Sequence, residues 1–157
     1  MRLVTAVVVL AGCLVAACSG ESSSFALTNA SVDQTYTCPA GANNASYELH
    51  ATVDAHNGTS AAVTIKSVTA SMTLEAIKGS WLDKVGDKYQ AANATVTPTT
   101  IAAGANSSLK VTIPSACTNG KAMNGASYGD YRVNIQLATS AGNYAISSKT
   151  VHRITAA

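Results

Sequence analysis

Three side chains that commonly bind transition metals lie close together in the sequence: His50, Asp54 and His56. They alternate with apolar residues, so a β-strand would place all three on one face. Asp54 and His56 would then be about 6.5 to 7 Å apart and could reach one ion, whereas His50 would need a bend in the strand. His152 could complete such a site only if the last strand lay alongside. The alternative is an ordinary solvent-facing strand surface, which must be polar if the opposite face packs into the core.

Other residue patterns that carry enzyme chemistry do not occur in the sequence. There is no Gly-x-Ser-x-Gly turn for a nucleophilic serine and no glycine-rich phosphate loop, and the eight Asp and Glu residues are scattered singly. Glycoside hydrolysis requires two carboxylates that face each other across a cleft. We therefore expect a protein that is not an enzyme and binds no cofactor, with an enzyme of unrecognised site as the remaining alternative.

Residues 78–89 concentrate large and charged side chains. They include Trp81, which is the single tryptophan of the chain, and five charged residues. An aromatic residue among charges in a loop is a common recognition surface, because tryptophan offers a large contact area with few rotatable bonds. Trp81, Lys84 and Tyr89 therefore form a candidate binding loop. In the alternative interpretation, Trp81 and Leu82 close one end of the fold, and the charges only keep the loop hydrated.

The elements that must position these residues are β-strands. Apolar and polar residues alternate from Phe25 onward, most clearly over residues 47–56 and 130–137. The dipeptide Asn57-Gly58 predicts a two-residue hairpin turn. Over residues 62–77 the alternation changes phase near Ser67, which predicts a β-bulge or a strand that crosses between two sheets. Further strands are predicted at 25–32, 35–38, 94–97, 107–113 and 143–154.

About seven short strands without a helical stripe predict an all-β fold, an antiparallel sandwich or barrel forming one domain over residues 25–157. The run from Gly129 to Ile135 resembles the penultimate strand of immunoglobulin-like bacterial surface domains, in which a tyrosine, here Tyr131, begins the inward-facing alternation. The resemblance implies an immunoglobulin-like sandwich with a core of Val, Ile, Leu and Tyr.

The first 18 residues have the features of an export signal. Arg2 supplies a positive charge, and the uncharged residues 3–17 are somewhat short for a membrane span, which needs about 20 residues. Val15-Ala16-Ala17-Cys18 resembles the lipobox of bacterial lipoprotein precursors. The resemblance implies a signal peptide of residues 1–17, lipid attachment at Cys18, and a flexible tether of residues 18–24. The alternative is an ordinary secretory signal cleaved after Ala17.

The remaining cysteines fit an exported domain. Cys13 leaves with the signal and Cys18 carries the lipid, so Cys38 and Cys117 are expected to form one disulfide. A metal pair or a catalytic thiol is the alternative, but neither residue has a histidine or second cysteine at ligand spacing. Because neither cysteine lies inside a predicted pair of core strands, we expect the bond to tie loops or edges together.

The composition of the chain limits the classes of function that we expect. Charged residues make up 11% of the chain and the formal net charge is +2, without a basic cluster, so binding to nucleic acid is not expected. We expect an extracytoplasmic module of the bacterial envelope, anchored to a membrane by its lipid, that binds an unidentified extracytoplasmic protein or envelope ligand. Which membrane carries it depends on whether the organism has an outer membrane. The alternative function is metal handling through His50, Asp54 and His56.

Overall fold

The computed structural model describes residues 24–91, 93–120 and 126–157. The lipobox and Cys18 lie outside the described residues, so the signal peptide and the lipid attachment stay predictions. Within the described ranges, no helix is long and apolar enough to cross a membrane. Eleven β-strands occur there: β1 (Phe25–Val32), β2 (Thr35–Cys38), β3 (Ala45–Asn57), β4 (Val63–Lys78), β5 (Lys88–Ala91), β6 (Thr95–Thr97), β7 (Thr100–Ile101), β8 (Asn106–Cys117), β9 (Tyr128–Thr139), β10 (Gly142–Ser147) and β11 (His152–Ala156).

These strands form two sheets with immunoglobulin topology. The four-stranded sheet has the order β1-β3-β8-β6, which is the A-B-E-D arrangement of immunoglobulin domains. The seven-stranded sheet has the order β2-β11-β9-β4-β5, with β10 beside β9 and β7 beside β4. Its β11-β9-β4 centre corresponds to G-F-C, and β5 takes the place of C′. The predicted immunoglobulin-like sandwich is confirmed. The pairing of β2 with β11 is parallel, so the second sheet is mixed.

The core lies between the two sheets and is built from the predicted alternation. Leu49 and Val53 on β3 are fully buried, and Val133 and Ile135 on β9 meet them from the other sheet. Because successive side chains of a strand point to opposite faces, the polar residues between them lie on the outer surface. Each such aliphatic side chain stabilises the fold by about 1.5–3 kcal/mol through its burial.

The predicted hairpin at Asn57-Gly58 is wrong. Asn57 ends β3 in one sheet and β4 begins in the other, so residues 58–62 connect the two sheets. The Asn57 side chain is fully buried. Its amide nitrogen lies 2.9–3.0 Å from three backbone carbonyl oxygens, those of Ala61, Ile101 and Ala102. The hydrogen bonds to Ile101 and Ala102, which no local turn preference encodes, position the connection.

Other strands differ from the prediction in length and number. The bulge predicted near Ser67 occurs between Ile65 and Ser67, and β4 stays within one sheet. The predicted strand at 143–154 is two strands, β10 and β11, which pair with different parts of β9. The strand predicted at 107–113 extends to Cys117, and the short strands β5 and β7 were not predicted. Edge strands of two to four residues are too short to show a periodic pattern.

The sandwich has two distinct ends. At the first, which we call the tether end, Phe25 pairs with Asn57, and the Gly58 N–H donates to the Ser24 carbonyl oxygen. The connections at this end are residues 58–62, 98–105 (which include the two residues of β7) and 140–141. The opposite end, which we call the distal end, carries the loops 39–44 and 79–87 and the described residues 118–120 and 126–127. Strand β4 runs from the tether end to the distal end, and its 16 residues correspond to about 50 Å.

Candidate functional site

The structure places the three candidate metal ligands of β3 on one face but does not bring them to one site. In the described part of the chain, no three His, Cys, Asp or Glu side chains group closely enough to hold a metal ion. The predicted ligands belong to the outer strand surface that was the alternative interpretation. Each contacts a different neighbour: His50 Nδ1 lies 3.0 Å from Asp33 Oδ2, Asp54 Oδ2 accepts from Asn29 Nδ2 at 3.2 Å, and His56 Nδ1 lies 2.8 Å from Asn106 Oδ1.

His152 is buried and contacts Tyr47 on the inner face of β3, whereas the three candidate metal ligands lie on its outer face, so His152 cannot complete their site. It is buried on β11, where Nδ1 donates to the Asp33 carbonyl oxygen at 2.8 Å. A carbonyl can only accept, so Nε2 is the unprotonated nitrogen, and it accepts from the Tyr47 hydroxyl at 3.0 Å. Burial lowers the pKa of His152 and raises the pKa of Tyr47 to about 12. Both side chains are therefore neutral at pH 7.

The predicted disulfide joins the two sheets. Cys38 ends the edge strand β2 and Cys117 ends the inner strand β8, with their Cα atoms 6.0 Å apart. The expectation of a bond between loops or edges is therefore right for Cys38 and wrong for Cys117. Both residues are buried at the distal end.

Exposed apolar side chains are concentrated in one segment of the surface. Within the described ranges, all the exposed large hydrophobic residues lie between positions 77 and 89: Ile77 (43% exposed), Leu82 (59%), Val85 (59%) and Tyr89 (40%). We call these four residues the distal apolar group. Leu82 and Val85 belong to the loop 79–87, so this loop carries more exposed hydrophobic surface than the sequence interpretation assigned to Trp81 alone.

Trp81 itself is half-buried and has a structural role. Its indole Nε1 donates to the Tyr131 hydroxyl at 3.0 Å, and that hydroxyl donates to Asp83 Oδ2 at 2.9 Å. The ring packs directly on Gly129, where a Cβ atom would lie 2.7 Å from the indole atoms Cε2 and Nε1. Burial raises the pKa of Tyr131, which keeps its hydroxyl protonated as a donor. Leu82, in contrast, is too exposed to close the end of the sandwich.

Lys84 and Asp87 shape the same loop. The Lys84 backbone N–H donates to Asp87 Oδ2 at 2.8 Å, and the Asp87 N–H donates to the Lys84 carbonyl oxygen at 2.9 Å. The Gly86 N–H and the Asp87 carbonyl pair with the backbone of Leu74 on β4. The loop is thus tied to the sheet by its backbone, while the side chain of Lys84 stays exposed.

A cleft of about 270 Å³ opens between the two sheets beside Trp81. Its lining contains three aromatic side chains, those of Trp81, Tyr89 and Tyr131, and one charged residue among the described ones, Asp83. Leu82 and the last residues of β8 complete the wall. The cleft and the distal apolar group share Leu82 and Tyr89, so two of the four exposed apolar residues line the cleft.

Sequence interpretation missed three residues of this site. Tyr131 was assigned to the core, and the sequence carries no signal that its hydroxyl links Trp81 to Asp83. Gly129 gave no turn signal, because its role is to leave space for an indole that lies 48 positions earlier in the chain. Asp83 was counted only among the loop charges. Contacts between distant segments produce no local pattern.

Comparisons with known proteins identify no family. No protein-family model and no curated protein matches the chain. Among solved structures, it is similar to AggA, the major subunit of aggregative adherence fimbriae type I from Escherichia coli, with 11% identity, a TM-score of 0.35, and coverage of 85% of this chain and 95% of that one. PapD-like domain 7 of human CEP192 gives 10% identity, a TM-score of 0.33, and coverage of 100% and 96%. The CooA pilin subunit of enterotoxigenic Escherichia coli gives 11%, 0.30, and 83% and 99%. Likeness at this level says nothing about the activity of the chain.

Proposed function

We propose that the protein is a lipid-anchored, non-enzymatic binding module of the bacterial envelope that presents the distal end of its sandwich to a protein partner. The observation that carries the proposal is the position of the distal apolar group. It lies at the end of the sandwich opposite Phe25, the residue at which the predicted tether of residues 18–24 joins the fold.

The distance between the two ends explains how a membrane-anchored domain can present its distal end to a partner. Strand β4 spans about 50 Å between them. A domain held by a short tether at one end therefore carries the other end well above the lipid surface. The connections at the tether end, residues 58–62, 98–105 and 140–141, contain no charged residue. They add no electrostatic repulsion from an anionic membrane surface.

The exposed surface supports binding at the distal end in particular. Short Thr, Ser and Ala side chains cover much of the sheet faces and loops, and they offer little contact area each. Exposed large apolar side chains are concentrated in residues 77–89 of the described chain, and exposed apolar patches commonly mark interaction sites. Because the loop 79–87 is tied to β4 by backbone hydrogen bonds, its apolar side chains are held ready without a large ordering cost on binding.

Membrane anchoring rests on the resemblance of residues 15–18 to a lipobox, and it is tested first. The intact mass of the native protein should exceed the mass of the polypeptide from Cys18 by that of the attached acyl groups. The variant Cys18→Ser should move from the membrane fraction to the soluble fraction. Wild-type membrane levels of unmodified Cys18→Ser protein would contradict the anchor.

Binding at the distal end is tested by site-specific photocrosslinking in cells. A photoreactive amino acid replaces Val85 in the distal loop, and in the matched control it replaces Ala103, an exposed residue of a tether-end loop. We expect a discrete crosslinked species from position 85 and none from position 103. Equal adducts at both positions, or none at position 85, would refute a binding role for the distal end.

A further inference from the structure

From the lining of the distal cleft, we infer that it receives a basic side chain, arginine or lysine, from the protein partner. The inference rests on the proposed function and specifies the chemistry of the partner. It is carried by two features that coincide in one cavity: aromatic walls and a carboxylate that no cation of the described chain neutralises.

The size of the cleft suits one side chain. Its volume of about 270 Å³ lies just below the roughly 300–1,000 Å³ that is typical of pockets for whole small molecules. Tyr131 is 6% exposed and lies deep in the cleft, whereas Tyr89 and Asp83 are exposed residues of its wall. A long side chain that enters from solvent would pass the carboxylate and reach the aromatic rings.

The aromatic walls favour a cation over a neutral apolar group. Trp81, Tyr89 and Tyr131 line the same small cavity, so a charged group inside it lies close to aromatic surface. A cation within about 6 Å of an aromatic ring is stabilised by the ring's quadrupole, and tryptophan gives the largest effect. The hydrogen bond from Trp81 Nε1 to the Tyr131 hydroxyl fixes the relative position of two of these rings.

Asp83 provides the complementary negative charge. Its Oδ2 atom accepts from the Tyr131 hydroxyl, while Oδ1 has no hydrogen-bond partner in the described part of the chain. Asp83 forms no ion pair with any described residue, although Lys84 is its neighbour in sequence. Lys84 and Lys88 do not line the cleft. Oδ1, which has no partner among the described residues, can therefore pair with an incoming ammonium or guanidinium group.

The surroundings of the cleft point to a protein rather than a free small cation. The exposed side chain of Val85 does not line the cleft, so a ligand the size of one side chain would leave it uncovered and only a larger partner would cover it. Insertion of one anchor residue into a cleft, with apolar contacts around it, is the usual arrangement of an interface hot spot, and arginine is enriched there.

Fluorescence of Trp81 tests the inference directly, because it is the single tryptophan of the chain and lines the cleft. The purified protein is titrated with N-acetyl-arginine amide and N-acetyl-lysine amide. Matched controls are N-acetyl-citrulline amide, which has nearly the shape of arginine without its charge, and N-acetyl-aspartate amide, which is anionic. We expect a saturable change in emission from the two cations through the millimolar range, and at least tenfold weaker binding of citrulline amide.

The variant Asp83→Asn is the matched protein control. Asparagine keeps an acceptor oxygen for the Tyr131 hydroxyl, so the fold and the position of Trp81 are retained, and only the charge is removed. We expect this variant to bind arginine amide about tenfold more weakly than the wild type and to bind citrulline amide with unchanged affinity. Equal binding of arginine and citrulline amides, stronger binding of the aspartate amide, or an unchanged affinity in Asp83→Asn would each overturn the inference.

Two further outcomes separate this inference from the proposed function. If choline binds more tightly than arginine amide, the cleft takes a free organic cation, and the assignment to a partner's side chain fails. If crosslinks form at Val85 but no cation binds, the distal end is a binding surface and the cleft inference alone is wrong. If cations bind in an Asp83-dependent way but position 85 gives no crosslink, the proposed presentation to a partner fails instead.

Discussion

Cys38 and Cys117 join the two sheets of the sandwich at the end that carries Trp81 and the cleft. Their Cα atoms are 6.0 Å apart although 79 positions separate them in the chain. In antibody domains the disulfide joins the B and F strands, whereas here it joins β2 with β8, the strand in the E position. The bond thus constrains the distal end, where residues 39–44 follow β2 and residues 118–120 follow β8.

Loss of this disulfide should lower the free energy of unfolding by about 2–4 kcal/mol, because the bond restricts a long loop of the unfolded chain. The double variant Cys38→Ala/Cys117→Ala avoids a free thiol, and urea denaturation followed by circular dichroism measures the effect. The β-sheet spectrum of the native state should be retained, since strand pairing on both sides of the bond is extensive. A change below 1 kcal/mol would contradict this prediction.

Replacement of Gly129 by alanine should displace Trp81. The new Cβ would lie 2.7 Å from two indole atoms and 3.1 Å from Leu74 Cδ1, and such overpacking typically costs about 1–3 kcal/mol. We expect the tryptophan emission to shift to longer wavelength and iodide quenching to increase. Gly120→Ala is the matched control, because its nearest neighbour is Leu82 Cδ2 at 3.9 Å. An unchanged emission spectrum in Gly129→Ala would show that the indole does not pack on this residue.

His152 should make the fold less stable as the pH falls below its ordinary pKa of 6.5. Burial lowers the pKa of His152 in the folded state. Near pH 6 the imidazole of the unfolded chain is therefore protonated to a greater extent than that of the folded protein. The contribution is fully present above pH 6.5 and decreases on acidification, by at most about 1.4 kcal/mol per pH unit. Unfolding between pH 7.5 and 5 should therefore depend less on pH in His152→Gln. The exposed His50→Gln variant serves as control. Parallel pH profiles for wild type and His152→Gln would refute this role.

Asn57→Asp should destabilise the protein strongly although the two side chains have the same shape. The Asn57 amide nitrogen lies 2.9–3.0 Å from three carbonyl oxygens, so in aspartate one buried carboxylate oxygen would face these acceptors, and only the other oxygen would keep the donors of Thr59. We expect a loss of about 3 kcal/mol or more at pH 7, with partial recovery in acid, where the protonated acid can donate once. The exposed Asn143→Asp variant should change stability by less than about 0.5 kcal/mol. Equal melting temperatures for the two variants would contradict the assigned hydrogen bonds.

The strands of the core could be predicted because their cause is local. Burial of one face of a strand requires apolar and polar residues to alternate. This alternation is visible in residues 47–56 and 130–137, which form the centres of β3 and β9. The phase change near Ser67 likewise identified a bulge that the structure contains. The number and positions of the cysteine residues predicted the disulfide, because two cysteines in an exported domain usually form one bond with each other.

The same patterns could not predict to which of the two sheets each strand belongs. Asn57-Gly58 has the composition of a hairpin turn, yet Asn57 is buried and bridges to residues more than 40 positions away. Its hydrogen bonds to the 101–102 segment exist only after the two sheets have packed. The His50, Asp54 and His56 face was also correctly placed on the strand, but the partners that occupy each side chain come from other segments.

The sequence by itself determined the class of fold, the predicted export and lipid attachment, and the segment that carries the exposed apolar residues, since each depends on composition or on neighbours a few positions away. Only the tertiary structure decided the site. It placed the loop 79–87 at the end of the sandwich opposite Phe25, set Trp81 on Gly129, and linked Trp81 to Asp83 through Tyr131, a residue about 50 positions later in the chain. These contacts form because β4 pairs with β9 in one sheet. The pairing of distant segments produces no periodic pattern in a single sequence.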